Sequence, residues 1–391
     1  MKKKIKLLHV ITSTNPKTGG PVEGLRSMYK FSNKFNIHTE ILCMDKSESC
    51  WIKDKSLPKI HAVGPSYLGY AFNFKIKNWL KKNLSNYDMV IMNGIWQYPS
   101  LVTSKIASSL GIPYWFFYHG MLDPWFQKTY FFKKIKKIIY WKLFQHRALE
   151  QAEAVFFTCE REKILARNEF LPYNIKEEVF PYGISGLNKK VSLKKNHLLK
   201  KYPELKNKKI ILFIGRIAEK KGCDILIKSF SKIKNLDPLL HLLIVGPPNK
   251  YSENLKKLSN KLNTNSRITW IPGLFGKDKW QAYCLANVFC LPSHQENFGI
   301  SVVESLSAGT PVIISNKVNI FSEIKKYKAG FVCNDNDDSL TGALKKWNAI
   351  SNTKRNEISI NCKKLFREKF HSWQSARKVR VCFEKFQKKI K

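Results

Sequence analysis

The chain has 391 residues, 43% of them hydrophobic, and a formal net charge of +40 with 69 Lys and Arg against 29 Asp and Glu. That length exceeds what one hydrophobic core serves, so two domains are expected, and the apolar content excludes a disordered chain. The charge implies attraction to polyanions, whether nucleic acid, an anionic membrane or a phosphate-rich substrate, although a composition rich in Lys, Asn and Ile also follows from A/T-rich coding.

Nine cysteines, scattered and without a C-x-x-C spacing, suggest neither a disulfide framework nor a zinc site and fit a reducing cytoplasm. The opening MKKKIKLLHVITST is basic then apolar, but Lys6 and His9 interrupt a very short apolar core. It reads as a first strand, not a signal peptide. No apolar run approaches the length of a bilayer span.

In chain order, Ile5 to Ile11 forms a strand and the loop after it carries Gly19-Gly20 before a helix from about Val22. Such a loop serves either as an ordinary strand-to-helix turn or as backbone that approaches a ligand closely. Strands near Ile37–Cys43, Met89–Met92 and Tyr114–Tyr118 follow, a βα alternation. PYWFFYHG ends in His119-Gly120, which puts a histidine at the carboxyl tip of a strand, the ligand edge of a parallel sheet. From Phe131 to Phe144, Phe132, Ile135, Ile139 and Leu143 share a helical face with Phe131 and Ile138, and Lys133, Lys134, Lys136 and Lys137 fall opposite. That pattern fits a helix lying on an anionic membrane or a core-packed helix with a solvated lysine face. AEAVFFTCE and EEVFPYGI give two more strands, and the lysine-rich Ser185–Lys209 reads as a linker with a short helix.

The second half opens with a strand, Ile210 to Ile214, that runs into Gly215-Arg216, and a loop then closes at Lys221-Gly222 before a helix. A planar Arg fork and a Lys point charge at that junction are placed to neutralise a diphosphate. HLLIVGPP and ITWIPGLF add strands. LPSHQENFGISVVESLSAG, Leu291 to Gly309, puts Glu296 and Glu304 on either side of a glycine-bearing loop-to-helix junction. A carboxylate accepts from vicinal hydroxyls, and free N–H groups at the helix start hold an anionic oxygen, so the stretch suits a ligand with a sugar at each end of a diphosphate. Asp335, Asp337 and Asp338 read as a turn and helix cap, not a metal site.

Glu296, Phe298, Gly299, Glu304, Gly309, Pro311, Val312 and Ile313 resemble, in order, the E-x7-E segment of retaining glycosyltransferase family 4, and Gly215-Arg216 with Lys221-Gly222 resembles that family's G-R-x4-K-G segment. The similarity runs from about Lys4 to Phe370. It implies the α/β GT-B fold, two Rossmann-like doubly wound domains facing a central cleft. Residues 1–184 would form the acceptor-side domain, with 371–391 crossing back to it, and 185–370 the linker and nucleotide-sugar domain. The implied activity is transfer of a sugar from a nucleotide-diphosphate sugar to an acceptor hydroxyl, with retention and without a metal or other cofactor.

By the same resemblance, His119, Arg216, Lys221 and Glu296 are the catalytic residues. Gly20, Gly246, Gly273, Leu274, Phe298, Gly299 and Glu304 bind the donor, with Glu304 on the ribose. Where the family's N-terminal half usually closes on Pro-Asn-Gly, this chain has Pro181-Tyr182-Gly183, which leaves no role for the missing Asn. The implied acceptor is a saccharide or lipid-linked saccharide of bacterial surface polysaccharide synthesis. The expected location is the cytoplasmic face of the plasma membrane, held by anionic lipid, with no nucleic-acid partner. A non-catalytic nucleotide-sugar-binding subunit and a basic nucleic-acid-binding protein are the alternatives, the latter without a helix-turn-helix, zinc-finger or RNP signature.

Overall fold

The computed structural model describes residues 3–67, 69–124, 131–187 and 196–390, the side chains of 131–134, 196 and 390 excepted. The chain divides into two compact units, Met1–Ser185 with His371–Lys391, and Gly186–Phe370.

Among the described residues the first unit carries a seven-stranded parallel sheet. Its strands are β1 (Ile5–Ile11), β2 (Ile37–Cys43), β3 (Lys59–Ala62), β4 (Met89–Asn93), β5 (Tyr114–Phe117), β6 (Ala154–Phe157) and β7 (Glu177–Val179), in the order β3-β2-β1-β4-β5-β6-β7. Every residue of β1 except Lys6 is buried, as expected for a strand covered by helices on both faces, which reads as a near-continuous apolar run. The strand order reverses between β1 and β4, and the carboxyl ends of those two strands border the crevice where ligands of such sheets bind. Strand β3, KIHA, is an edge strand with Lys59 exposed. It has no apolar run for sequence reasoning to find.

The terminal helix Ser372–Ile390 packs in this unit and buries Ala376, Val379, Cys382 and Phe383. Two ties fix its start and middle: the Ser372 N–H donates to Ile184 O at 3.0 Å, and Arg380 Nη1 donates to Lys3 O at 2.5 Å.

The helix expected over Phe131–Phe144 runs from Phe131 to Tyr140 and continues through a π-type turn, Trp141–Gln145, into His146–Glu150. Its apolar residues do not share one face. Trp141 is fully buried and Ile138 packs on the core, whereas Ile135, Ile139 and Leu143 are 45%, 54% and 59% exposed. The side chains of Phe131, Phe132, Lys133 and Lys134, and linker residues 188–195, lie outside the described residues.

The second unit repeats the plan with β8 (Lys209–Ile214), β9 (Leu240–Val245), β10 (Ile268–Ile271), β11 (Val288–Leu291), β12 (Val312–Ser315) and β13 (Gly330–Cys333), all parallel in the order β10-β9-β8-β11-β12-β13. Here the order reverses between β8 and β11. Both units are thus doubly wound α/β domains, the expected class.

Candidate functional site

In the second unit, the loops that leave β8 and β11 meet beside the strand-order reversal. Gly222 makes the meeting possible. It sits in the left-handed region at φ 67°, and a Cβ there would stand 2.2 Å from the Pro292 carbonyl oxygen, so only glycine lets the two loops touch. The His294 N–H donates to Lys220 O at 2.9 Å across the same seam.

The contact brings the Lys221 ammonium onto Glu296 Oε2, with both side chains about one-sixth exposed. Burial, and then the neighbouring Lys220 and Arg216 charges, push the Lys221 pKa down to about 7. The Glu296 carboxylate in contact with it acts the other way and favours the charged form. Main-chain bonds hold Glu296 in place: its N–H donates to Lys317 O at 3.0 Å, and its carbonyl accepts from Asn319 N at 2.9 Å. Arg216 is exposed and makes no hydrogen bond or ion pair with a described residue. The result is a carboxylate paired with Lys221, with the Lys220 and Arg216 charges near that lysine, a net positive cluster suited to an anion that also carries hydroxyls.

Glu304 lies in the helix Ile300–Ala308, capped by Gly299 at φ 73°. It is 9% exposed, and both oxygens are engaged: Lys279 Nζ donates to Oε1 at 2.5 Å and Tyr283 Oη to Oε2 at 2.9 Å. Lys279 and Tyr283 stand one turn apart on the helix Gly276–Leu285. Sequence reasoning missed both, although an i, i+4 polar pair on the helix after β10 was the available signal. Phe298 is buried, edge-on to Phe370 at 5.5 Å, so it braces the loop from the core side. Gly246 follows β9, with its N–H donating to Ile271 O, and Gly273 and buried Leu274 follow β10. Gly246, Gly273 and Leu274 thus stand just past the carboxyl ends of strands, and Glu304, Lys279 and Tyr283 lie on the helices that follow β11 and β10. Among the described residues no group of His, Cys, Asp and Glu is placed to hold a metal.

In the first unit the structure relates Gly20 and His119 through Tyr182. Its hydroxyl donates to the Gly20 carbonyl and accepts from the Gly24 N–H, so it is inserted in the first turn of the helix Gly20–Ser32. Its ring lies edge-on to His119 at 5.7 Å and to Phe117 at 5.6 Å. A Cβ at Gly24 would be 2.3 Å from the Tyr182 hydroxyl, which reserves that position for glycine. The turn that lacks the family's Asn therefore uses a tyrosine to tie the glycine loop to the β5 tip. His119 itself has φ 50°, unusual for a residue with a side chain, and stacks flat on Phe117 at 4.3 Å. Burial pushes its pKa down to about 3, so the imidazole is neutral.

Comparison with known proteins bears on this arrangement. Residues 194–365 match the family described as Glycosyl transferases group 1. The chain is similar to an uncharacterized glycosyltransferase of Haemophilus influenzae, 30% identical over 194 residues that make up 49% of this chain and 50% of that protein. It thus spans about half the length of this relative. Among solved structures, a glycosyltransferase from Rickettsia africae superposes with a TM-score of 0.77 at 18% identity, covering 99% of this chain and 100% of that one. Anabaena HepE in complex with UDP gives 0.75 at 14% identity, covering 97% and 100%. At such identities the likeness shows a shared fold, GT-B.

The Tyr182 insertion is testable by unfolding in denaturant. Gly24→Ala is expected to lose about 1–3 kcal/mol by overpacking. Added to Tyr182→Ala it should cost nothing further, or gain up to about 1 kcal/mol of helix propensity, because the ring it strikes is gone. Additive losses would mean that the ring does not fill the helix turn.

Proposed function

We propose that this chain, whose residues 194–365 belong to the glycosyl transferases group 1 family and whose two units have the GT-B fold, moves a sugar from a nucleotide-diphosphate donor to an acceptor hydroxyl. The observation that carries the reading is the Lys221–Glu296 pair beside Arg216 at the strand-order reversal of the second unit. A departing nucleoside diphosphate gains negative charge as the bond to the sugar breaks, and preorganised cations aimed at that charge stabilise the transition state more than anything else this site can offer.

Arg216 and Lys221 take that task, two cations in the role that a divalent metal plays elsewhere. Glu296 accepts from donor-sugar hydroxyls, and Glu304 accepts from the ribose hydroxyls, with Lys279 yielding one oxygen to them. Main chain at Gly246, Gly273 and Leu274 borders the nucleotide, and Phe298-Gly299 sets the helix start whose free N–H groups lie toward the phosphates. His119 and Gly20 serve the sugar and acceptor side. In the retaining reaction the bond from the anomeric carbon to the diphosphate oxygen breaks and a bond to the acceptor oxygen forms on the same face. The acceptor proton passes to the departing phosphate oxygen.

The acceptor we assign is a lipid-linked saccharide presented at an anionic membrane, in surface polysaccharide synthesis. Support comes from one surface of the first unit. Ile135, Ile139, Leu143 and Phe144 are exposed beside Lys136 and Lys142, and the helix Phe74–Asn83 exposes Phe74, 77% open, with Lys75, Lys77, Lys81 and Lys82. Contacts Phe72–Phe74, Phe72–Tyr98, Tyr70–Tyr98 and Tyr70–Tyr140 join the two segments into one patch. Apolar side chains ringed by lysines suit partial insertion between anionic headgroups, worth about 1 kcal/mol per lysine near the surface. Among the described residues no helix is long and apolar enough to cross a membrane.

Two measurements check these statements. Arg216→Ala and Lys221→Ala should each lower sugar-nucleotide turnover by about 100- to 1,000-fold, roughly 2.7–4 kcal/mol of barrier, and unchanged turnover in either would remove that residue from the site. In co-sedimentation with vesicles, binding should require anionic lipid and fall with salt. The Ile139→Asp/Leu143→Asp variant should bind less, and equal sedimentation by that variant would return the helix to a solvent-exposed role.

A further inference from the structure

Asn93 closes β4, and its side chain, 8% exposed, lies between two histidines. Its Nδ2 is 3.3 Å from the carbonyl oxygens of Val10 and Ile91 and 3.2 Å from His9 Nδ1, and its Oδ1 is 3.2 Å from His119 Nε2. Two carbonyl oxygens accept only, so the amide nitrogen must face them and the amide oxygen must face His119. An amide oxygen also accepts only. His119 Nε2 must therefore carry the proton, because the other tautomer would set a ring lone pair against an oxygen lone pair. By the same logic His9 Nδ1 accepts and His9 is protonated at Nε2.

We infer that Asn93, held by His9 and by the backbone of β1 and β4, is a positioning residue that locks His119 in the neutral Nε2–H tautomer and leaves Nδ1 as a hydrogen-bond acceptor for a hydroxyl of the donor. The inference rests on the reading above that His119 faces the donor sugar, and goes beyond it by giving the residue a direction: His119 takes a hydrogen from the ligand and offers none through Nδ1. Several constraints converge on this one ring. The left-handed backbone of His119 and the flat stack on Phe117 fix its plane, and the Asn93 oxygen fixes which nitrogen is protonated. Burial pushes the pKa values of both His9 and His119 down to about 3, so neither gains a second proton near neutral pH. A sugar hydroxyl both donates and accepts, so an acceptor-only imidazole orients it and leaves the oxygen lone pairs for other donors.

The tautomer can be read by long-range nitrogen–proton correlation on histidine-labelled full-length protein, with His119 identified by loss of its signals in His119→Gln. The expected result without ligand is a neutral ring with its proton on Nε2, visible as a slowly exchanging imidazole N–H resonance. In Asn93→Ala that resonance should exchange with solvent and the ring should become a mixture of tautomers. A proton on Nδ1 in the wild type, absence of the protected N–H, or the same tautomer and exchange in Asn93→Ala would overturn the inference. If Asn93→Ala does not fold, the wild-type spectrum alone decides. Because no donor is present, failure of the glycosyltransferase reading would leave this readout intact, and a wrong tautomer would overturn the lock even if transfer were observed.

Discussion

The ion pair between Lys221 and Glu296 is the constraint on which the second unit's site depends. A lysine placed this far from water would shed its proton near neutral pH, and a carboxylate beside two further cations gives it a reason to keep it. Leaving either partner uncompensated is costly, so the pair needs both loops in fixed register. That register comes from a glycine with no room for a Cβ, pressed on the Pro292 carbonyl, and from main-chain bonds that hold Glu296 between Lys317 and Asn319. Electrostatics and backbone geometry are one design here: the loops that touch are those flanking the strand-order reversal, where the topology opens a crevice.

The first unit solves a different problem with neutral groups. The buried network around His119 is built from an amide, two neutral imidazoles and a tyrosine hydroxyl, with the Glu162 carboxylate occupied by the Gly120 N–H beside it. Such groups direct hydrogen bonds without attracting counter-ions. They suit recognition of an uncharged hydroxyl, as the cations of the second unit suit an anion. Tyr182 joins the two halves of this network, since its hydroxyl lies in the first turn of the glycine-loop helix and its ring borders the histidine.

Much of the fold and of the candidate site was legible in the sequence because the residues proposed to carry chemistry lie close together along the chain. Gly215-Arg216, Lys221-Gly222 and Glu296 through Glu304 are local patterns, and strands such as Ile5–Ile11 are nearly all apolar. What escaped depends on long-range contact. Asn93 and His9 are separated by 84 positions, and Lys279 reaches Glu304 from a different helix. Tyr182 looked like the loss of an expected residue, since nothing near it in sequence shows that its hydroxyl lies against Gly20 and Gly24. The edge strand β3, KIHA, is only four residues long, too short for its polar–apolar alternation to stand out. The helix over Phe131–Tyr140 deceived in another way. Its apolar residues fit one stripe on a wheel, but the core takes Ile138 and Trp141 and leaves Ile135, Ile139 and Leu143 outside.

The central claim is that Lys221, kept charged by Glu296, awaits a diphosphate. Calorimetric titration with the common nucleoside diphosphates, on wild type and Glu296→Gln across pH, tests it most directly. Burial and the neighbouring cations push the Lys221 pKa down to about 7, and Glu296→Gln removes a carboxylate that favours the charged form. The lysine of the variant therefore loses its proton at a lower pH than that of the wild type. Relative to wild type, the variant should lose affinity progressively as the pH rises through neutrality. Parallel pH profiles for the two proteins, or no nucleoside diphosphate bound by the wild type, would contradict the account.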